Sequence, residues 1–369
     1  MKKPLDLGFI GGGKNSAIGE AHKIACQMDG HFKLVAGCFS RNSEINTQTA
    51  LDWGINTDRV YRDAHAFLET EHKKLDAVVI LTPTPTHREI VMACLEYGLT
   101  VICEKALVSN VQDALDIQKT IGNLDGRLYV TFNYTGYPMV RELRQRIQTG
   151  ELGKIQQVMV EMPQEGFARM SIEGNAPSPQ PWRCEDADIP TVYLDLGVHL
   201  HQLVDFLTNK NAKDVYAVNS HFALVPGVVD TVNIVSRYED DMVCNYWFGK
   251  AALGYRNGLK IRVFGEKGSA EWLQMDPEIL RFNNVYGENI LIDRTAANNL
   301  VASQSRYCRF KAGHPAGFIE AFANYYADIA ASLNNEKISF AIGADAAIRG
   351  LNFLTQAQRS ATHNSKVDV

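Results

Sequence analysis

Asp195-Leu196-Gly197-Val198-His199 sets a carboxylate and an imidazole four residues apart, so on a helix they share one face. A carboxylate next to an imidazole fixes its orientation and raises its basicity, which makes an acid/base pair. Two other arrangements are compatible with the same residues. Asp195 can cap a helix whose histidines are satisfied in the core, or His199 and His201 can ligate a metal. No metal is expected, because residues two apart do not share a helix face and no further ligand stands out. Lys105 is the third candidate. It follows the apolar run Thr100-Val101-Ile102-Cys103 and is preceded by Glu104, where a lysine can donate to a substrate oxygen while its neighbours hold its charge. The plainer alternative is an ion-paired lysine on the rim of a sheet.

A second chemistry is written at the start of the chain. Leu5 to Ile10 is a short apolar strand that empties into Gly11-Gly12-Gly13 and reaches a further glycine at Gly19. Gly11 and Gly13 give the tight turn and let backbone approach a pyrophosphate, whose charge meets the N–H groups of the helix opening at Ala17, Ile18 and Gly19. The usual spacing is G-x-G-x-x-G, so Lys14, Asn15 and Ser16 read as a three-residue insertion. Dinucleotide choice is set at the end of the second strand, where Cys38-Phe39-Ser40-Arg41-Asn42 offers a hydroxyl and a guanidinium in place of an acid. Arg41 matches a ribose 2'-phosphate, which leans towards NADP over NAD, although an arginine here can also stack on adenine.

These residues need elements to hold them. In the first third, strand and helix alternate: a helix with the apolar face Ile18, Ala21, Ile24, Ala25 and Met28, then strands over Phe32 to Phe39, Asp76 to Leu81, Thr100 to Cys103 and Leu128 to Phe132. Asp76 to Leu81 is almost wholly apolar, as a parallel strand buried on both faces requires. Gly98 is placed to end a helix, and Ser109 with Gln112 forms a capping box for the next. This pattern predicts a doubly wound α/β domain over residues 1–130. Ligands of such sheets bind outside the carboxyl ends of the strands, so Thr82-Pro83, Glu104-Lys105 and Asn133-Tyr134 are expected at one crevice with the glycine turn. Over residues 131–369 the strands follow one another closely: Val158 to Met162, Val215 to Phe222, Val232 to Tyr238, Met242 to Phe248, Leu259 to Phe264 and Ala270 to Leu273. They predict a large, mostly antiparallel open sheet, closed by helices at Ala316 to Leu333 and Ala344 to Ala361.

A proline-rich segment from Pro163 to Pro190 precedes a helix over about Tyr193 to Leu207. Such a length without regular structure is expected of a covering or binding loop. Trp182 offers an apolar platform and Arg183 and His314 offer polar partners to a substrate. Alternatively, Trp182 anchors the loop to the core or to a second subunit.

The 369 residues are 46% hydrophobic with a net charge of −5. No basic stripe suits nucleic acid, and no apolar run is long enough to span a bilayer. Lys2-Lys3 is not followed by a signal-peptide core or cleavage site. Seven cysteines without a C-x-x-C spacing fit reduced thiols and a cytoplasmic protein.

Taken in order, the glycine turn followed by His22, Thr82-Pro83 with His87, Glu104-Lys105, Asn133-Tyr134, Gly150-Glu151-Leu152-Gly153 and Asp195-x-Gly197-x-His199 resemble the glucose-fructose oxidoreductase, inositol dehydrogenase and MocA family. The resemblance covers nearly the whole chain. Tyr134 to Pro138, Trp182-Arg183, Gly265-Glu266-Lys267-Gly268 and Gly313-His314-Pro315 look like one bacterial branch of it. The resemblance implies an N-terminal nucleotide-binding domain and a C-terminal domain for substrate binding and oligomerisation, with a homodimer or homotetramer expected. It implies hydride transfer between NAD(P) and a carbinol or keto carbon of a sugar or polyol. Lys105 would hold the reacting oxygen, His199 would exchange its proton, and Asp195 would orient one or both. Thr82, Pro83, His87 and Glu104 would lie along the cofactor, and Asn133, Tyr134 and His201 along the substrate. Three features depart from the family: Ala106 stands where proline usually follows Glu-Lys, Gln202 stands where an acid is often found, and the glycine turn is extended by Lys14, Asn15 and Ser16. Two further functions share the fold: a dinucleotide-binding sensor without turnover, and a lyase or glycosidase assisted by transient oxidation.

Overall fold

The computed structural model describes residues 3–311, 313–336 and 340–369; Lys2 of the N-terminal lysine pair lies outside them. Two compact units are present. The first comprises Met1–Gly136 and Phe318–Ile348, the second Tyr137–Gly317 and Arg349–Val369.

The first unit opens with strand β1 (Leu5–Gly11), helix α1 (Gly19–Gln27), β2 (Phe32–Cys38), α2 (Ser43–Trp53), α3 (Ala64–Glu71), β3 (Ala77–Leu81), α4 (His87–Glu96), β4 (Thr100–Cys103), α5 (Val111–Leu124) and β5 (Leu128–Val130). All the pairings are parallel, in the order β2-β1-β3-β4-β5. All five residues of β3 are buried, as a strand covered on both faces must be. The order reverses at β1, and the groove outside the carboxyl ends of β1 and β3 is where a doubly wound sheet takes its ligand.

Two local expectations are corrected. Helix α1 buries Gly19, His22, Ala25 and Cys26, while Ile24 and Met28 reach solvent. The imidazole of His22 and the thiol of Cys26 find partners inside the unit, so their side can face the core. The cap of α5 is Asn110 rather than Ser109: its side chain accepts from the Asp113 backbone N–H at 2.9 Å. Asparagine at this position satisfies the orphan donor as well as serine would.

The second unit contains α6 (Pro138–Gln148), β6 (Ile155–Pro163), α7 (Val198–Thr208), β7 (Ala212–Ser220), β8 (Thr231–Tyr238), β9 (Val243–Gly249), β10 (Lys260–Gly265), β11 (Gly268–Leu273), β12 (Ile279–Asn284) and β13 (Asn289–Asp293). The chain then makes α8 (Phe318–Leu333), α9 (Ala344–His363) and the short β14 (Val367–Asp368). The strands form one sheet in the order β13-β12-β11-β10-β6-β9-β8-β7-β14. Its pairings are antiparallel except β6 with β9. In β8, Val232, Ile234, Ser236 and Tyr238 are buried, while Asn233, Val235 and Arg237 are exposed. This alternation gives the sheet one packed and one open face. Phe353 of α9 lies on the packed face against Tyr246.

Helix α8 belongs to the first unit, although sequence order alone would leave it with the second. The Tyr325 hydroxyl donates to the Val130 carbonyl at 2.5 Å, and Tyr326 packs edge-on against Phe32.

Candidate functional site

In the first unit, the glycine turn is built by backbone that a side chain would block. Gly11 and Gly12 adopt φ of 84° and 76°, the left-handed region that favours glycine. A Cβ on Gly11 would stand 2.9 Å from the Thr82 backbone nitrogen, and one on Gly19 only 1.7 Å from the Gly12 carbonyl oxygen. Gly12, which carries half of the turn, is not among the expected contacts. Gly13 has no left-handed φ; its backbone N–H donates to the Phe39 carbonyl at 3.0 Å. The insertion has its own function in the turn: Ser16 Oγ accepts from the N–H groups of Ile18 and Gly19, each at 3.3 Å. Ala17 is exposed and Ile18 half-buried at the mouth of α1. Beyond β2, Ser40, Arg41, Ser43, Thr47, Thr57 and Arg62 line a pocket of about 260 Å³. Arg62 is a second guanidinium that spacing did not reveal, since it stands far along the chain from the strand end.

At the neighbouring strand ends, His87 links two stretches. Its Nε2 lies 2.7 Å from the Thr82 carbonyl and its Nδ1 2.9 Å from that of Ala106. Burial pushes this imidazole below its ordinary value, against those hydrogen bonds. Pro83 is exposed at the start of the following turn. Lys105 is half-buried, and the peptide bond to Ala106 is cis without proline. Glu104 just before it is buried, with Oε1 3.0 Å from His22 Nε2 and accepting from Thr131 Oγ1. His22 Nδ1 lies 2.8 Å from the Tyr326 hydroxyl, so the network extends from β4 through α1 to α8. Burial acts to raise the Glu104 carboxyl, but the His22 bond, the charges of His22 and Lys105 and the Thr131 bond leave it below the ordinary value. Asn133 and Tyr134 are buried in the turn that follows β5, and Asn133 Nδ2 has no hydrogen-bond partner among the described residues.

In the second unit, Asp195 lies in a π-helical turn, Tyr193–Gly197, that leads into α7. Such turns widen the helix and recur at functional sites. Asp195 Oδ2 accepts from Lys250 Nζ at 2.5 Å and from Arg183 Nη1. Lys250 is a further functional candidate that sequence missed, because 55 residues separate it from Asp195 and no motif marks it. Arg183 stacks over Trp182, with 4.4 Å from its Cζ to the ring centroid. His199 is buried on α7. His201 is buried too, its ring 4.9 Å from that of Phe353, and burial pushes its imidazole down to about 4. The Gln202 side-chain oxygen is buried without a partner among the described residues. His314 is exposed, with its carbonyl accepting from Arg294 at 3.3 Å.

The proline-rich segment is pinned at both ends. Phe167 packs with Val225 and Val228, and the Asp186 carboxylate accepts from the backbone of Thr191 and Val229. Residues 168–176 between these anchors are almost all exposed.

A nucleotide-binding α/β unit with a glycine cradle, joined in one chain to an open-sheet unit carrying an Asp-x-x-x-His pair, defines a class of dinucleotide oxidoreductases. Residues 5–132 match the model of the oxidoreductase family with an NAD-binding Rossmann fold, and residues 140–271 match that of the GFO/IDH/MocA C-terminal domain. The chain belongs to this family, and it is an NAD-binding dehydrogenase acting on CH–OH. It is similar to the uncharacterized oxidoreductase YfiI of Bacillus subtilis, at 28% identity over 99% of this chain and 96% of that one. Among solved structures, an oxidoreductase from Sinorhizobium meliloti is 30% identical with a TM-score of 0.88, covering 99% of this chain and 100% of that one. An inositol dehydrogenase homologue from Azotobacter vinelandii, complexed with NADH and myo-inositol, is 26% identical with a TM-score of 0.90, over 100% of this chain and 98% of that one. Among the described residues, no helix is long and apolar enough to cross a membrane.

Proposed function

We propose that the protein oxidises or reduces a sugar, polyol or sugar derivative at a secondary carbinol or keto carbon. The reading is carried by one observation: the carboxyl ends of parallel β1, β3 and β4 place the glycine turn, Thr82 and Lys105 along one sheet edge. The bound myo-inositol of the Azotobacter homologue supports the substrate class. The residues suit a dinucleotide: Gly11 packs against Thr82 and Gly19 against Gly12 so closely that a Cβ would break the turn, and the turn so formed leads into the N-terminus of α1, whose dipole favours a pyrophosphate. When bound, the dinucleotide supplies or accepts the hydride. Lys105 polarises the reacting oxygen, His199 exchanges its proton, and Asp195 orients the imidazole. Gly11, Gly13, Ala17, Ile18, Gly19, Thr82, Pro83, His87 and Glu104 serve the cofactor. Asn133, Tyr134, Trp182, Arg183, His201 and His314 serve the substrate. Residues 1–130 act as the nucleotide-binding part, and 131–369 bind substrate and assemble subunits. Tyr216, Val218 and Val235, exposed together on the open sheet face, suit a dimer or tetramer contact.

A screen of polyols, sugars and keto-sugars with both cofactors, read at the absorbance of reduced nicotinamide, tests the reading. Lys105→Ala and His199→Ala should each lower turnover about a hundredfold or more while dinucleotide affinity holds. Wild-type rates in either variant would remove that residue from the chemistry. Ser40, Arg41 and Arg62 around one pocket favour NADP. Arg41→Asp should therefore shift the ratio of the two dissociation constants towards NAD by about tenfold. An unchanged ratio would show that Arg41 does not read the 2'-position.

A further inference from the structure

Lys250 follows Gly249 at the end of β9, and its backbone is held from two sides. Its N–H donates to the Asp230 carbonyl at 2.7 Å, and its carbonyl accepts from Phe167 at 2.9 Å. The ammonium lies 5.2 Å from the centroid of the Phe167 ring and donates to Asp195 Oδ2. The Lys250 and Asp195 side chains are 9% and 11% exposed. At that burial, either ion alone is costly, so the pair stands or falls together. Arg183 reaches the same oxygen from the proline-rich segment, with its guanidinium seated on Trp182. One cation would suffice to neutralise the carboxylate. A second one on the same oxygen, approaching from a different element, adds restraint: the carboxylate is held ionised and prevented from turning.

We propose that Lys250, together with Arg183, is a positioning residue for the reaction described above, holding Asp195 as a fixed anion one turn before His199. The proposal rests on the dehydrogenase reading. In the oxidative direction, the substrate hydroxyl proton passes to His199, and an oxidised dinucleotide, when bound, would take the carbinol hydrogen with its bonding pair as the carbon–oxygen bond becomes double. Asp195 neither gives nor takes a proton; it stabilises the imidazolium as that charge forms. Lys250 acts through Asp195 and touches no reacting atom.

A double-mutant cycle in the full chain, with a substrate found by the screen, tests this. Lys250→Met should lower kcat about tenfold to a hundredfold, with the KM for the dinucleotide within about twofold, and Lys250→Arg should recover most of the loss. In an Asp195→Asn background, Lys250→Met should cost less than about threefold more, because the group it acts through is already gone. Unchanged kcat in Lys250→Met, or an equal loss in both backgrounds, overturns the proposal. If Lys250→Met fails to melt cooperatively, Lys250→Gln, which keeps a donor without the charge, runs the same cycle under the same criteria. Absence of turnover by the unaltered protein with every substrate and both cofactors overturns the dehydrogenase reading and this proposal together, a result distinct from failure of the cycle.

Discussion

Glu104 and Asp195 are carboxylates next to residues proposed to handle the substrate oxygen, and they are restrained by opposite means. Glu104 is enclosed in packed elements, with His22 from α1 and Thr131 after β5 as partners and Tyr326 from α8 behind His22. Asp195 is held by two cations, one at a strand end and one from a long segment with exposed residues between its anchors. The first arrangement is assembled by helix and strand packing, so its loss should be felt by the fold. The second is assembled by charge, so its loss should be felt by the chemistry.

Asp195→Asn puts this contrast under the greatest strain. It keeps the shape and removes the charge, and kcat should fall about a hundredfold, with a loss of stability beside it because the Lys250 ammonium is left buried without its counter-ion. A variant that melts far below the parent but turns over normally would reverse the assignment. Glu104→Gln should fall on the fold rather than the rate, costing about 1–3 kcal/mol in chemical denaturation, because the buried His22 and Thr131 donors lose the charged oxygen they share. Its pH dependence has a fixed sign. The folded carboxyl lies below its ordinary value, so the stability it contributes is present above the unfolded value and is lost as pH falls through the folded one. The gap between parent and variant should narrow below about pH 4. A gap that widens there contradicts the network.

The smallest effect concerns His201, which has neither means of restraint: burial leads in lowering its imidazole to about 4, opposed by the charge of Asp205 and assisted by that of Arg349. An unfolded chain takes this proton at an ordinary histidine value, so its contribution is present above that value and drains away as pH falls towards 4. His201→Gln should therefore lose less melting temperature than the parent between pH 7.5 and about 5. Parallel losses would place the imidazole in contact with water.

What could be read from sequence was what depends on neighbours along the chain. The run Ala77–Leu81 marks a strand buried on both faces without help from elsewhere, and the glycine turn states its purpose within a few residues. The side of α1 that turns inwards was not legible, since the partners that make His22 acceptable inside are 82 and 304 residues away. Strands β12 and β13 escaped because they run to the edge of the sheet through asparagines and exposed positions, so their apolar signal is thin. Asp195 and His199 could be singled out as a pair, but the lysine that grips the former could not, because a carboxylate records nothing about the cation that will meet it. Arg183 was legible as a polar group near the site; its engagement with Asp195 was not.

Helix α8 places a timetable on biosynthesis. The first unit is split in sequence, with roughly 180 residues between Gly136 and Phe318. At translation speeds of about 5–20 residues per second, the N-terminal stretch waits about 10 to 40 seconds for the helix that covers His22 and Phe32. During that interval, the nascent parallel sheet presents an uncovered aromatic flank to the ribosome's surroundings. The unit that begins synthesis first is thus unable to finish folding first.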